Sequence, residues 1–218
     1  MIKERRWGLD YELVKEIMDT AGCDFTQQSM PFKRVQAGLK HGTADIASGA
    51  SVTKERGQYA WFTAPYRREI IAMFMLASEV DTFTPQSFDD IGKSKLRFGV
   101  GIGAWYGVAF DNLKKTNPNF SSRLMQHDDF NNIYNWLERG RVQVVINDLY
   151  FGLDVLRRSG KLASVKPHPY YINDDEVYLM LSKKSLVASD VEIITKAIEA
   201  VIRTKKYRAI LAKYTSTD

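Results

Sequence analysis

The most reactive side chains in this sequence are few: one cysteine, Cys23, and three histidines, His41, His127 and His168. A lone thiol excludes an intrachain disulfide and a cysteine-rich zinc site, and the histidines show no metal-ligand spacing. His127-Asp128-Asp129 sets an imidazole beside two carboxylates, the raw material for acid–base work. The same run also makes a polar N-terminal cap for a helix beginning at Phe130. The turn GVGIG (99–103) is a Gly-rich connection of the kind that cradles anions, and such turns occur in many α/β folds without doing so. No nucleophile with its base, no paired carboxylates and no metal cluster can be read here. The expectation is a chain that is not an enzyme, uses no cofactor and binds no metal.

The elements that must position any site follow from hydrophobic spacing. Leu9, Leu13, Ile17 and Ala21 recur every four residues with Val14 and Met18 beside them, and Gly22 stops the helix they predict. An extended piece (23–30) follows, with Cys23 expected as a buried, inert thiol at its start. Pro31 opens a second helix carrying Phe32, Val35 and Leu39 on one face and ended by Gly42, and Asp45 to Ala50 reads as a buried strand. The alternation returns after residue 85: Leu96–Ile102 as strand, Ala104–Lys115 as helix, Arg123–Gln126 extended. Next come a helix from Phe130 through Ile133 and Leu137 to Gly140, and Val142–Ile146 as strand. Val177–Leu181 reads as a further strand. A long helix with Asp190 near its start and a last helix over about 207–214 close the chain. Two layered α/β units are the expectation.

Hydrophobic residues make up 44% and charged residues 26% of the 218, which argues against disorder and leaves enough apolar mass for a core. The longest apolar run, Ile70 to Ala77, is far short of the roughly 20 residues of a membrane span. A formal charge of +5 is spread among 26 acidic residues. The pairs Arg5-Arg6, Arg67-Arg68 and Lys205-Lys206 therefore read as solvated faces, and no nucleic-acid partner is expected. The segment MIKERRW has no apolar stretch that could act as a secretory signal.

Three blocks, GLDYELVKEIMDTAG (8–22), MPFKRVQAGLKHGTADI (30–46) and GASVTKERGQYAWFTAPY (49–66), resemble the extracellular solute-binding proteins of family 3. The resemblance continues through FGVGIGAWYG (98–107) and GRVQVVINDLYFG (140–152), and the block around SVTKER is the most specific. It implies a type II periplasmic-binding-protein fold, two α/β lobes joined by two crossing strands, with the ligand in the cleft between them. Lobe 1 would be 1–76 with 176–218, and lobe 2 would be 77–175. It also implies a periplasmic receptor for an amino-acid-like ligand that serves an ABC permease in the membrane. A sensing domain of the same fold and a truncated, non-binding member are the alternatives.

Residue by residue, the resemblance assigns Arg56 to the ligand α-carboxylate, a task suited to a planar guanidinium fork. It gives Ser51 and the amides around Gly49 to the same group. Asp148 would receive the α-ammonium, and Phe32 would pack on the ligand side chain. Bland readings stand beside each: a surface salt bridge for Arg56, a turn cap for Ser51, a helix cap for Asp148, core packing for Phe32. Where the family brings Gly-Thr or Gly-Ser to a helix N-terminus in the second lobe, this sequence has Gly103-Ala104, so the amides remain and the hydroxyl is lost. Trp105 and Tyr106 next to it line the cleft or pack. The family also places a strand and a ligand-touching loop ahead of the GLDYE block. The seven residues before Gly8 span roughly 25 Å, room for one short strand only. The expectation is truncation, or partial substitution by Ile2 to Trp7, with a weakened or empty site if nothing replaces the strand.

Overall fold

Residues 3–4 and 8–215 are described in the computed structural model of this chain. In order, the elements are β1 (Lys3–Glu4), α1 (Leu9–Ala21), β2 (Gln28–Ser29), α2 (Phe32–His41), β3 (Ile46–Ala50) and β4 (Ala60–Leu76). Then follow α3 (Phe88–Lys93), β5 (Phe98–Gly101), α4 (Val108–Thr116), α5 (Pro118–Ser121), β6 (Leu124–His127) and α6 (Asn135–Glu138). The chain continues through β7 (Val144–Asp148), α7 (Leu149–Arg158), β8 (Val165–Ser182), α8 (Ala188–Val201) and α9 (Lys205–Thr215). Six strands are hydrogen-bonded in the order β3-β8-β4-β7-β5-β6. Two compact units result: Met1–Glu69 with Glu176–Asp218, and Ile70–Asp175. The long strands β4 and β8 each run from one unit into the other, at 69/70 and 175/176. The sequence placed the first passage near Leu76, the last residue of β4, whereas the division between the units falls inside the strand, at 69/70.

In the first unit, β3 pairs antiparallel with β8 through Ile46↔Leu181, Ala47↔Met180 and Ala50↔Tyr178, with a register shift between Ala47 and Ala50. Gly49 sits inside that bulge at φ +65°, a conformation that side chains with a Cβ rarely adopt. Helices α1 and α2 end as expected, on left-handed Gly22 and Gly42. Pro31 takes the cap position of α2 rather than its first turn. The apolar stripe of α1 (Leu13, Ile17, Met18) is fully buried, and α8 and α9 pack on this helix. At the start of α8, Asp190 accepts the Val187 N–H at 2.8 Å. Valine offers no acceptor in return, so only half of a capping box forms. Cys23 is exposed, contrary to expectation, because the chain after Gly22 runs as irregular surface and not as a buried strand. The described part of Ile2 to Trp7, Lys3–Glu4, pairs antiparallel with Gln28–Ser29 outside the six-stranded sheet. The rest of that segment and Arg5-Arg6 lie outside the described residues.

In the second unit, β4 pairs antiparallel with β7 (Ile71↔Asp148 to Phe74↔Val145), and β5 pairs in parallel with both β7 and β6. Side chains alternate between two cores as the pleat requires. Ile71, Met73, Val144 and Ile146 face one core, and Ala72, Phe74 and Val145 face the other. Helices α3, α4 and α5 cover the first face with Ile91, Phe110 and Phe120, and α6 and α7 cover the second with Leu137, Leu153 and Leu156. Two-sided burial explains why β7 (VVIND) is buried at every position.

Two helices differ from expectation. The helix expected from Ala104 begins only at Val108, after Gly103 (φ +80°) and Gly107 (φ +94°) turn the chain. The helix expected from Phe130 is a run of turns with one helical piece at Asn135–Glu138. Here His127 Nδ1 accepts the Asp129 N–H and Asp129 Oδ1 accepts the Asn131 N–H, side-chain bonds that compete with the helical ladder.

Two predictions follow from this packing. A Cβ on Gly152 would lie 2.2 Å from Phe74 Cζ, whereas one on Gly57 meets nothing within 4 Å. Thermal unfolding of Gly152→Ala is expected to show a loss of about 1–3 kcal/mol, with Gly57→Ala within about 0.5 kcal/mol of the parent. The second concerns Glu12, whose Oε1 accepts from Tyr214 (2.6 Å) and Lys213 (2.5 Å) on α9. Burial works to raise the Glu12 carboxyl, but these two donors hold it below its ordinary value. The contribution is therefore present at neutral pH and lost as the pH falls through the glutamate range. Glu12→Gln should cost about 0.5 kcal/mol or less at neutral pH, a size set by its partial exposure, and the difference from the parent should vanish on the acid side of a pH–stability curve.

Candidate functional site

The first unit gathers three of the sequence-singled residues, Arg56, Ser51 and Phe32. Past the bulge, the loop after β3 turns at Thr53, whose Oγ1 accepts the Arg56 N–H at 3.2 Å and whose carbonyl accepts the Gly57 N–H at 2.9 Å. Thr53, not Ser51, therefore caps this turn. Arg56 opens the short 3-10 turn that follows and is only 6% exposed, which rules out a surface salt bridge. Its Nη1 donates to the Ser51 carbonyl at 2.8 Å. Its guanidinium stands 5.2 Å from the centroid of the Phe32 ring, within cation–π range. Phe32, the first residue of α2, also packs against the core around Leu39 and Met180. Loss of water pulls the Arg56 guanidinium below its ordinary value, opposed by Tyr59, Glu69 and Glu55. It stays charged, since an arginine remains protonated at any physiological pH. The arrangement is a partly desolvated cation in a polar and aromatic setting, suited to taking a carboxylate in two parallel bonds.

Gly49 has a different part from the one expected. Its N–H donates to the Tyr66 hydroxyl at 2.8 Å, so this amide is engaged within the protein. The hydroxyl in turn donates to Asp10 Oδ1 at 2.6 Å, and Asp10 takes Arg67 Nε at 2.7 Å and Nη2 at 3.1 Å. Burial, and then the charge of Asp10, raise the Tyr66 phenol well above its ordinary range, so it remains a donor. Arg67 is thus buried in an ion pair and not on a solvated face, whereas its neighbour Arg68 is exposed as expected. Sequence reading missed Tyr66, Asp10 and Arg67 because the partners lie more than fifty positions apart.

The second unit holds Asp148, Gly103 and Ala104. Asp148 ends β7, is 7% exposed, and its Oδ1 accepts the Phe151 N–H at 2.7 Å, capping α7. The bland reading of Asp148 is therefore present in the structure. A cap uses one lone pair of a group with about four acceptor sites, so capping and ligand binding are compatible. Gly103-Ala104 does not stand at a helix N-terminus, because α4 begins four residues later. The Gly101 N–H goes to the Tyr106 hydroxyl (2.7 Å), the Ile102 N–H to the His127 carbonyl (2.9 Å) and the Ala104 N–H to the Gly101 carbonyl (3.3 Å). Tyr106 is a core residue, 5.2 Å from Phe110 in an edge-to-face pair. Among the described residues no group of three His, Cys, Asp or Glu could hold a metal ion, and no helix is long and apolar enough to cross a membrane.

Comparison with known proteins places this geometry. The probable histidine-binding protein of Campylobacter jejuni is 24% identical over 210 residues, covering 95% of this chain and 76% of its own length. The membrane-bound lytic murein transglycosylase F 1 of Alkalilimnicola ehrlichii is 33% identical over 93 residues, 42% of this chain but only 18% of that enzyme. A cyclohexadienyl dehydratase of Pseudomonas aeruginosa is 23% identical over 175 residues, 79% of this chain and 62% of its own. Among solved structures, an ancestral arginine-binding protein bound to arginine superposes with a TM-score of 0.76 at 22% identity over 96% of this chain and 88% of its own. A Streptococcus pneumoniae amino acid ABC transporter substrate-binding protein bound to L-arginine gives 0.74 at 23% over 95% and 82%. The fold is that of the periplasmic binding proteins. The model of one family matches residues 3–217, and the chain belongs to the bacterial extracellular solute-binding proteins, family 3.

Proposed function

We propose that this chain is a periplasmic receptor that captures a small amino-acid-like ligand and delivers it to an ABC permease. The observation that carries the reading is Arg56: a buried guanidinium, oriented by the Ser51 carbonyl and flanked by Phe32. A protein that needed only a fold would gain little from keeping a desolvated cation there. Family membership and the amino-acid-binding relative in Campylobacter jejuni support the same ligand class.

In this reading the ligand docks first on the unit that carries Arg56. The guanidinium fork takes the α-carboxylate, with Ser51 beside it, while Gly49 acts by holding the bulge rather than by donating its amide. Asp148 of the second unit then takes the α-ammonium as the two lobes close, and the ligand favours the closed state because only there does it touch both. A charge-assisted bond of this type contributes about 1.5–3 kcal/mol, a sizeable part of the roughly 8 kcal/mol that micromolar binding represents. Nothing in this scheme calls for a chemical step on the ligand.

Two substitutions test it by ligand-induced thermal shift and calorimetry against the common amino acids. Arg56→Ala is expected to abolish the shift, and an unchanged shift would remove Arg56 from the site. Asp148→Asn separates capping from binding, since asparagine is as good an N-cap as aspartate. The unliganded variant should melt within about 0.5 kcal/mol of the parent while affinity falls at least about tenfold. Equal affinity with equal stability would leave Asp148 as a cap only.

A further inference from the structure

Phe130 stands at the carboxyl-terminal edge of the parallel strands β5, β6 and β7, the edge at which open α/β sheets present ligand-binding groups. Its ring lies directly on Gly101, the last residue of β5: a Cβ there would come within 2.0 Å of Phe130 Cζ, so only glycine permits the contact. On its other side is Phe151, edge-to-face at 6.4 Å between centroids and 87° between planes. The Phe151 N–H is the one that Asp148 Oδ1 accepts. A carboxylate and two half-buried phenyl rings are thus contiguous within one unit.

The loop that carries Phe130 is held on both flanks. His127 Nδ1 accepts the Asp129 N–H at 2.9 Å, and the His127 ring lies 4.7 Å from that of Trp136. Asp129 Oδ1 accepts the Asn131 N–H at 2.8 Å, and its Oδ2 accepts from Asn132 Nδ2 at 2.6 Å. These bonds order the ring before any ligand arrives, which lowers the entropy lost on contact.

We infer that Phe130, braced by Phe151, is the wall on which the ligand side chain rests, and that the site selects amino acids with apolar or aromatic side chains. The inference rests on the reading above that Asp148 receives the α-ammonium. An amino-acid side chain branches from the carbon that bears the ammonium, so a ligand held at Asp148 by its nitrogen brings its side chain to the neighbours of Asp148. A phenyl or branched aliphatic group gains ring contacts there. An acidic side chain meets Asp128 and Asp129 on the same loop, and the amides of Gly101, Ile102 and Ala104 are engaged elsewhere. A guanidinium laid on the rings would make them a cation–π surface instead, an outcome that the L-arginine arm of the test separates.

The test is calorimetry on the 218-residue chain with L-phenylalanine, L-leucine, L-alanine, L-arginine and L-glutamate, comparing the parent, Phe130→Ala and Phe130→Leu. The parent is expected to bind L-phenylalanine and L-leucine at least about tenfold more tightly than L-glutamate. Phe130→Ala should weaken L-phenylalanine about tenfold, or about 1.4 kcal/mol, with L-alanine within about twofold of the parent. Phe130→Leu keeps apolar volume and secures the test should the alanine variant fail to fold. It should lose about threefold for L-phenylalanine and less for L-leucine. Unchanged L-phenylalanine affinity in a folded variant overturns the wall and leaves the amino-acid reading in place. Preferred L-arginine binding that Phe130→Ala abolishes overturns the apolar assignment in favour of a cation–π surface. A parent that binds none of the five overturns the reading under Proposed function, and the wall with it.

Discussion

A guanidinium stripped of most of its water is destabilising unless its donors are met and its charge is answered, and Arg56 imposes that condition on the loop around it. The local architecture can be read as the means of meeting it. The bulge at Gly49 redirects the chain out of β3, Thr53 closes the turn, and the Ser51 carbonyl takes one arm of the fork. Behind them, Tyr66 ties the Gly49 amide to the Asp10–Arg67 pair, so the bulge is anchored to both α1 and β4. This second cation is fully answered inside the protein, in a bidentate pair that leaves it a structural role. Arg56 is oriented by the Ser51 carbonyl and flanked by an aromatic ring, and the charges of Glu69 and Glu55 act on it as well.

In the second unit the constraint is different. Parallel strands buried on both faces have to be apolar along their length, and polar chemistry can enter only where a strand ends. β7 obeys this with VVI, then closes on Asn147 and Asp148, both buried and both hydrogen-bonded. Asn147 donates to the Tyr134 hydroxyl and Asp148 caps α7, so this polar end is rigid before any ligand is considered. A carboxylate held by a backbone N–H keeps its orientation, which is what a fixed acceptor for an ammonium needs.

Family membership over residues 3–217 coexists with relatives only 22–24% identical along most of the chain. The turn at Gly103-Ala104 carries no hydroxyl, and the helix after it starts only at Val108. The amides of this turn stitch the strand end to Tyr106 and His127. Beside that turn stands a loop bearing Phe130. The second unit therefore presents aromatic surface next to this turn, on loops carried by the strands beneath.

From the residues alone one could read what depends on near neighbours. Helices α1 and α2 with their glycine stops, the alternation of two α/β units and β7 all lie within short stretches whose spacing and turn chemistry decide them, whereas Phe32, Ser51 and Arg56 were singled out together only by the family resemblance. What depended on distant partners was not legible. Arg67 looked like half of a solvated basic pair because its partner Asp10 is 57 positions away. The lengths of β4 and β8 were hidden because each is stabilised by neighbours far along the chain, and β8 carries Pro167, Pro169 and the acidic run 174–176 within it. The segment after His127 carries helical spacing at Phe130, Ile133 and Leu137, yet His127 and Asp129 turn their side chains onto the backbone, and Phe130 settles on Gly101. Local pattern sets which conformations a segment can adopt. Long-range hydrogen bonds and burial choose among them, and only tertiary structure supplies those.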